Sequence, residues 1–112
     1  MKVITAILNP HRLDDVYAAL TGIEVQGITV TEVQGIGRRK RDAMLDERPE
    51  DLVTPLPKLK VEVAVPEDRV ETVINALRNA GDGHKIANGK ILVYSLHDAL
   101  RVHTREVGDA AL

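Results

Sequence analysis

The sequence predicts one α+β domain that spans residues 1–112 and contains an antiparallel sheet. A weak internal repeat leads to this prediction: Val3–Pro10 resembles Leu59–Pro66, each segment precedes a helical pattern, and a second β-rich run follows each helix. A length of 112 residues suits one domain with one core. The resulting order, βαββαβ, is that of a ferredoxin-like fold, with four antiparallel strands and both helices on one face.

The two predicted helices begin just after prolines, and each has one apolar face. After Pro10 and after Pro66 the apolar residues recur at positions i, i+3, i+4 and i+7, which form one face of a helix. Proline suits the first turn of a helix, and the acidic residues that follow suit its positive end. The apolar positions are Leu13, Val16, Tyr17 and Leu20, then Val70, Val73, Ile74 and Leu77.

The remaining strands are predicted from β-rich runs at Gly27–Val33 and Gly89–Tyr94. The strand at Leu59–Val65 alternates strictly between aliphatic residues and a mixed set. The mixed set consists of Lys60, Glu62 and Ala64. We therefore expect the aliphatic face to lie in the core and the mixed face to meet a partner subunit.

Three segments without a helical or strand period are predicted as loops. Residues 37–57 form a long flexible loop that begins basic and turns acidic, and it exceeds the roughly 12 to 15 residues usual for loops in compact domains. Residues 81–90 form a glycine-containing turn, and residues 101–112 form a C-terminal loop. Without further information, an ordinary connection with a helix-capping glycine explains residues 81–90 better than a phosphate site does.

Composition and charge argue against several functions. The net charge of -2 argues against a nucleic-acid-binding domain, and an aromatic content of 2% provides no platform for stacked bases. The absence of cysteine removes disulfides and thiolate sites, and the cytoplasm is the expected compartment. The four histidines show no metal-ligand spacing, and Ser95, the one serine, has no evident histidine partner, so neither a metal site nor an enzyme is predicted. No apolar stretch approaches about 18 residues, so membrane contact is expected only through a target protein.

The motifs of the chain, taken in order, resemble the PII signal-transduction family over essentially the whole length. They are Leu13–Val16, Gly27–Val33, Gly35–Arg38, Leu56–Lys58, Val61–Val63, Gly89–Ile91, Val93–Tyr94 and Ala99–Arg101. None is specific alone, but their order and spacing together are. The resemblance implies a compact homotrimer with a long T-loop-like insertion. It also implies an adenine nucleotide effector (ADP, AMP or ATP) in clefts between subunits, no prosthetic group, and a transporter or metabolic enzyme as target.

The resemblance also implies a set of site residues by matching position. The adenine pocket is expected at Ile7, Thr29, Gly35, Glu62 and Ala64. The phosphate side is expected at Gly37, Arg38, Ala87, Asn88, Gly89 and Lys90, with Arg101 and His103 from a neighbouring subunit. The partner-binding loop is expected to use Arg39, Lys40, Arg41 and Asp51. Independently of the resemblance, a polyphosphate requires backbone N–H groups at glycines and the charges of Lys and Arg.

Several positions depart from the family pattern. Asp51 stands where many bacterial members carry a uridylylated tyrosine, so that switch is absent. Arg39 replaces a glutamine that helps to bind magnesium and 2-oxoglutarate, although Lys58, which pairs with that ligand, is retained. The phosphate side differs at His84, Ala87, Asn88 and His103. Fewer fixed positive charges there predict a preference for ADP or AMP over Mg-ATP. Together the departures predict a divergent branch of the family that serves nitrogen or inorganic-carbon (bicarbonate) metabolism.

Other interpretations remain open at this point. The chain suits a trimeric adaptor that binds a protein partner without any ligand, or a ferredoxin-like domain that binds RNA or catalyses a reaction. Single residues also have plain explanations: Thr29 suits a strand because it is β-branched, and Glu62 is equally explained as a partner of Lys60 or of another subunit in a trimer core.

Overall fold

The computed structural model describes residues 1–25, 27–36, 55–80 and 89–112, which form a sheet and two helices. The elements are β1 (Lys2–Leu8), α1 (Leu13–Gly22), β2 (Thr29–Gly35), β3 (Leu56–Val65), α2 (Val70–Arg78) and β4 (Lys90–Ser95). The strand order across the sheet is β2-β3-β1-β4, and every neighbouring pair is antiparallel. The predicted α+β, ferredoxin-like βαββαβ fold is confirmed.

One face of the sheet is covered by both helices and forms the core. The alternation of β3 decides which face: Leu59, Val61, Val63 and Val65 are buried. Against them pack Val16 and Leu20 of α1 and Val73 and Leu77 of α2. The opposite face, which we call the outer face, follows from the strand register. It consists of Val3, Thr5, Ile7, Thr29, Thr31, Val33, Gly35, Leu56, Lys58, Lys60, Glu62, Ala64, Lys90, Leu92 and Tyr94.

The two halves of the sequence repeat have the same local structure. After Pro10 and after Pro66 the chain makes a 3₁₀ turn before the helix proper, so α1 begins at Leu13 and α2 at Val70. The Arg69 guanidinium, at the start of α2, donates to the carbonyl oxygen of Ile23 at the end of α1. This contact satisfies a carbonyl that the helix end would otherwise leave without a partner.

The C-terminal end of α1 is a Schellman motif built on a non-glycine residue. The Val25 N–H donates to the Leu20 carbonyl (3.1 Å), and the Glu24 N–H donates to the Thr21 carbonyl (3.0 Å). Glu24 has φ +64°, in the left-handed region that usually selects glycine at this position. Its side chain is exposed, so nothing visible compensates for the conformation.

Replacing Glu24 with glycine should therefore raise the free energy of unfolding by about 0.5 to 1 kcal/mol, because the left-handed conformation is strained for residues with a Cβ. Urea unfolding monitored by circular dichroism measures the change. Glu24→Ala is the matched control, since it removes the carboxylate but keeps the Cβ. An equal gain from alanine would show that charge, and not backbone strain, is responsible.

One strand and one loop have different bounds in the structure from those that the sequence predicted. The strand expected at Gly27–Val33 lies two residues later, because the ladder runs from Thr29↔Glu62 to Gly35↔Leu56. The loop expected at residues 37–57 ends earlier, since Leu56 and Pro57 already pair with β2. Pro57 lies beyond the end of β1, where β3 has a neighbour on one side only, and such a place tolerates the missing N–H of proline.

The C-terminal segment is more regular than the predicted loop. Leu100 and Val107 form an isolated antiparallel bridge, and the Arg101 N–H donates to the Glu106 carbonyl (2.9 Å). A 3₁₀ helix follows at Gly108–Ala111. We call residues 100–107 the C-terminal hairpin. In the parts of the chain that the structure describes, neither helix is long and apolar enough to cross a membrane.

Candidate functional site

The outer face brings together six of the nine described residues that were predicted to bind an adenine nucleotide. The strand register aligns them in rows across the sheet. Glu62 lies opposite Thr29 on one side and Thr5 on the other. In the next row Ile7 lies opposite both Lys60 and Lys90. Ala64, which is exposed, continues the same face of β3 beyond Glu62.

Glu62 is the most connected side chain of this face. Its Oε1 lies 3.4 Å from Lys60 Nζ, and its Oε2 accepts a hydrogen bond from the Tyr94 hydroxyl at 3.1 Å. The Lys60 contact is the plain explanation that the sequence allowed for this residue. A carboxylate has about four lone-pair sites, so both oxygens retain capacity for a further donor. The contacts therefore fix the carboxylate without saturating it.

Lys58 and Gly35 meet at the end of the outer face nearest to Pro10. The Lys58 Nζ donates to Oδ1 of Asn9. The aliphatic part of the lysine passes over Gly35: a Cβ built there would lie 3.2 Å from Lys58 Cγ. Such a contact is tighter than ordinary van der Waals packing, so glycine permits the close approach of the lysine side chain to β2.

Charge is distributed unevenly over the outer face. Lys58, Lys60 and Lys90 lie in two adjacent rows at one end. The carboxylate of Glu62 lies in the following row, two residues along β3 from Lys60. Lys90 is exposed and follows Gly89 at the start of β4. This end of the sheet therefore attracts anions, and Glu62 next to it attracts hydrogen-bond donors.

Arg101 and His103 do not belong to the sheet. Both are exposed on the C-terminal hairpin, where they alternate with the apolar Leu100 and Val102. Within the described residues, neither side chain makes a hydrogen bond or an ion pair, whereas the backbone of Arg101 holds the hairpin together. Their predicted contact with a neighbouring subunit stays a prediction.

Two concavities border the outer face. One of about 560 Å³ lies between α2 and the core side of β4, with Ile74, Ile91 and Val93 in its wall, and touches the predicted site only at Gly89. Another of about 440 Å³ adjoins Lys58, Pro10 and Gln34. Neither concavity of the described structure is lined by Ile7, Thr29 or Glu62.

Several predicted site residues lie outside the described residues. They are Gly37, Arg38, Ala87 and Asn88 of the nucleotide site and Arg39, Lys40, Arg41 and Asp51 of the partner loop. In residues 1–25, 27–36, 55–80 and 89–112, no group of three His, Asp or Glu side chains is placed to hold a metal ion.

The family model of "Nitrogen regulatory protein P-II" matches residues 1–106. The chain belongs to the P-II family. It is 44% identical to the nitrogen regulatory protein GlnK of Escherichia coli over 112 residues, covering both chains completely. It is 43% identical to the nitrogen regulatory protein P-II of Rhizobium etli over the same length, again with full coverage. The crystal structure of Arabidopsis thaliana PII bound to citrate is similar in fold, with a TM-score of 0.79 and 34% identity over 99% of this chain and 91% of that one.

Membership in the P-II family confirms the resemblance read from the motifs. P-II proteins are signal-transduction regulators, so the chain is a regulatory protein and not an enzyme. This excludes the catalytic alternative for the ferredoxin-like fold.

Three residues that lie beside the predicted nucleotide-binding residues were not expected from the sequence. Asn9 holds Lys58, Tyr94 holds Glu62, and the Thr5 hydroxyl is buried without a hydrogen-bond partner in the described structure. The alternation of β1 and β3 could have placed Thr5 and Glu62 on one face. The Tyr94 contact could not be found in this way, because it depends on which strand lies between β3 and β4.

Proposed function

We propose that this P-II protein is a homotrimeric regulator that binds an adenine nucleotide on the outer face of its sheet, in clefts between subunits. The observation that carries the proposal is the alignment of Ile7, Thr29, Glu62 and Lys90 on one sheet face in adjacent rows. The single-domain organisation predicted for residues 1–112 is part of this proposal. Nucleotide binding would control a transporter or a metabolic enzyme through residues 37–57.

The charges of the outer face suit a nucleotide laid along it. Glu62 can accept a hydrogen bond from an amino group of the base, while Lys90 and the N–H groups near Gly89 attract phosphate. Two strand spacings and two residues along the strand separate Glu62 from Lys90, which gives about 12 Å between their Cα atoms. The similar Arabidopsis PII is bound to citrate, so a small anion as effector has a precedent among similar structures.

Exposed apolar side chains support the assembly of several copies. On the C-terminal hairpin Val102 is 88% exposed, and Leu100 and Val107 are also largely exposed. On the outer face Leu92 and Tyr94 are about half exposed. Clustered apolar exposure of this kind marks interaction surfaces. If the apolar side of the hairpin packs on a neighbour, the alternating Arg101 and His103 reach the site that the neighbour's sheet face provides.

The binding of AMP, ADP and Mg-ATP to the purified protein tests the proposal by calorimetry and thermal shift. We expect ADP and AMP to raise the melting temperature, because a ligand of the folded state stabilises it, and we expect them to bind more tightly than Mg-ATP. The reasons are the reduced positive charge at His103, which stands where the family has a second arginine, and Arg39, which cannot offer an acceptor oxygen to magnesium. Tight magnesium-dependent ATP binding that 2-oxoglutarate enhances would contradict the preference.

The competing proposal is a trimeric adaptor that binds its target without a ligand. The exposed apolar hairpin favours it as much as it favours the sensor. A trimer that no adenylate stabilises at millimolar concentration would support the adaptor and overturn the sensor. We propose nitrogen or inorganic-carbon metabolism as the process served; uptake of ammonium and bicarbonate in a deletion strain distinguishes the two.

A further inference from the structure

Neither of the two contacts that hold the Glu62 carboxylate comes from the β2 side. Tyr94 reaches it from the β4 side and Lys60 from within β3, whereas Thr29, its partner on the β2 side, is exposed and makes no hydrogen bond to it in the described structure. A further donor can therefore approach Glu62 from the Thr29 side. The orientation of the carboxylate towards that side depends on the two existing contacts.

The Tyr94 contact spans a strand. Tyr94 lies opposite Val3 of β1, and β1 lies between β4 and β3, so the phenol must cross β1 diagonally to reach Glu62. Thr5 is the β1 residue between Glu62 and Leu92. It is only 5% exposed although it lies on the face opposite the helices, and its hydroxyl has no partner. The hydrogen bond from Tyr94 to Glu62 crosses β1 between the rows of Val3 and Thr5, on the face that neither helix covers.

We propose that Tyr94 is a positioning residue that sets the preference of the site for 6-aminopurine over 6-oxopurine nucleotides. This inference rests on the proposed function. The phenol and Lys60 orient the carboxylate so that its remaining lone pairs accept from the amino group of an adenine on the Thr29 side. A 6-oxopurine has a carbonyl oxygen in place of that amino group. Its oxygen and the Glu62 carboxylate are both acceptors and would face each other without a hydrogen bond.

Tyr94→Phe tests the role of the hydroxyl, because it keeps the aromatic ring and removes only the hydrogen bond to Glu62. We expect the affinity for ADP to fall roughly three- to tenfold, the range that one hydrogen bond contributes. We expect the affinity for inosine diphosphate, the 6-oxo analogue, to change little. The affinity for ADP divided by the affinity for inosine diphosphate should therefore fall. A purely structural role of the hydroxyl would weaken both nucleotides equally and leave the ratio unchanged.

Tyr17→Phe is the matched control. Tyr17 is 59% exposed on α1, and the same atom is removed there without any contact to the outer face. The control should leave both affinities unchanged. Repeating Tyr94→Phe in a Glu62→Gln background should produce no further change in the ratio, because Tyr94 acts through the Glu62 carboxylate.

Two results would overturn the inference: an unchanged ratio of the two affinities in Tyr94→Phe, as an equal loss for both nucleotides would give, or a change in the ratio that persists without the Glu62 carboxylate. These results leave the proposed function intact if the wild-type protein binds ADP. If the wild-type protein binds neither ADP nor inosine diphosphate, the proposed function itself fails, and the role of Tyr94 fails with it.

Discussion

Replacing Lys90 with alanine should weaken ADP binding by about 10- to 100-fold, as expected for the loss of one charge-assisted hydrogen bond worth about 1.5 to 3 kcal/mol. Lys90 is exposed at the first position of β4, directly after Gly89 and opposite Ile7. Removing its side chain takes away a cation that the fold does not use in its core. Calorimetric titration of ADP measures the loss.

Two variants separate a phosphate contact from a general charge effect. Lys90→Arg keeps the charge and should retain most of the affinity. Lys2→Ala removes the same charge from the opposite end of the sheet, where Lys2 contacts Ser95 and Glu67, and should leave the affinity unchanged. If Lys90→Ala binds ADP as tightly as the wild-type protein, the phosphate side of the site has been placed wrongly.

Replacing Val102 with aspartate should convert the proposed trimer into monomers. Val102 is the most exposed large apolar side chain described in this chain, and the proposed assembly buries it against a neighbouring subunit. A carboxylate in that place would be desolvated without a partner, at an effective cost of several kcal/mol per ion. Sedimentation velocity at micromolar concentration measures the change in assembly.

Thr72→Asp is the control for the added charge, because Thr72 is exposed on α2, away from the hairpin and the outer face. This variant should sediment as the wild-type protein does. A trimer that persists unchanged in Val102→Asp would show that the hairpin does not contribute to the interface. A monomeric wild-type protein would contradict the trimer itself.

The fold could be predicted from the sequence because its signals are local. Strict alternation in β3 identifies the core face from residue types alone, and the β1 and β3 repeat places each helix after a strand. The boundaries were less predictable. Leu56 and Pro57 join β3 because β2 continues to Gly35, and pairing of this kind is a property of two strands rather than of one segment.

The sequence predicted which residues belong to the candidate site better than it predicted the contacts between them. Glu62 and Lys90 were expected through the family resemblance, and the register places them on one face. The bridge from Tyr94 to Glu62 required knowledge of strand order. Likewise, the left-handed conformation of Glu24 had no signal in the sequence, because glycine and not glutamate is the usual residue at the end of a helix.

The central claim is that an adenine nucleotide binds along the outer face of the sheet. Amide chemical shifts recorded during an ADP titration of the isotope-labelled protein test it most directly, since they locate the ligand residue by residue. If ADP binds on the outer face, we expect the largest amide chemical-shift changes at Ile7, Glu62 and Lys90. The exposed sides of α1 and α2 should show no change. Shifts confined to the helices, or none at millimolar ADP, would contradict it.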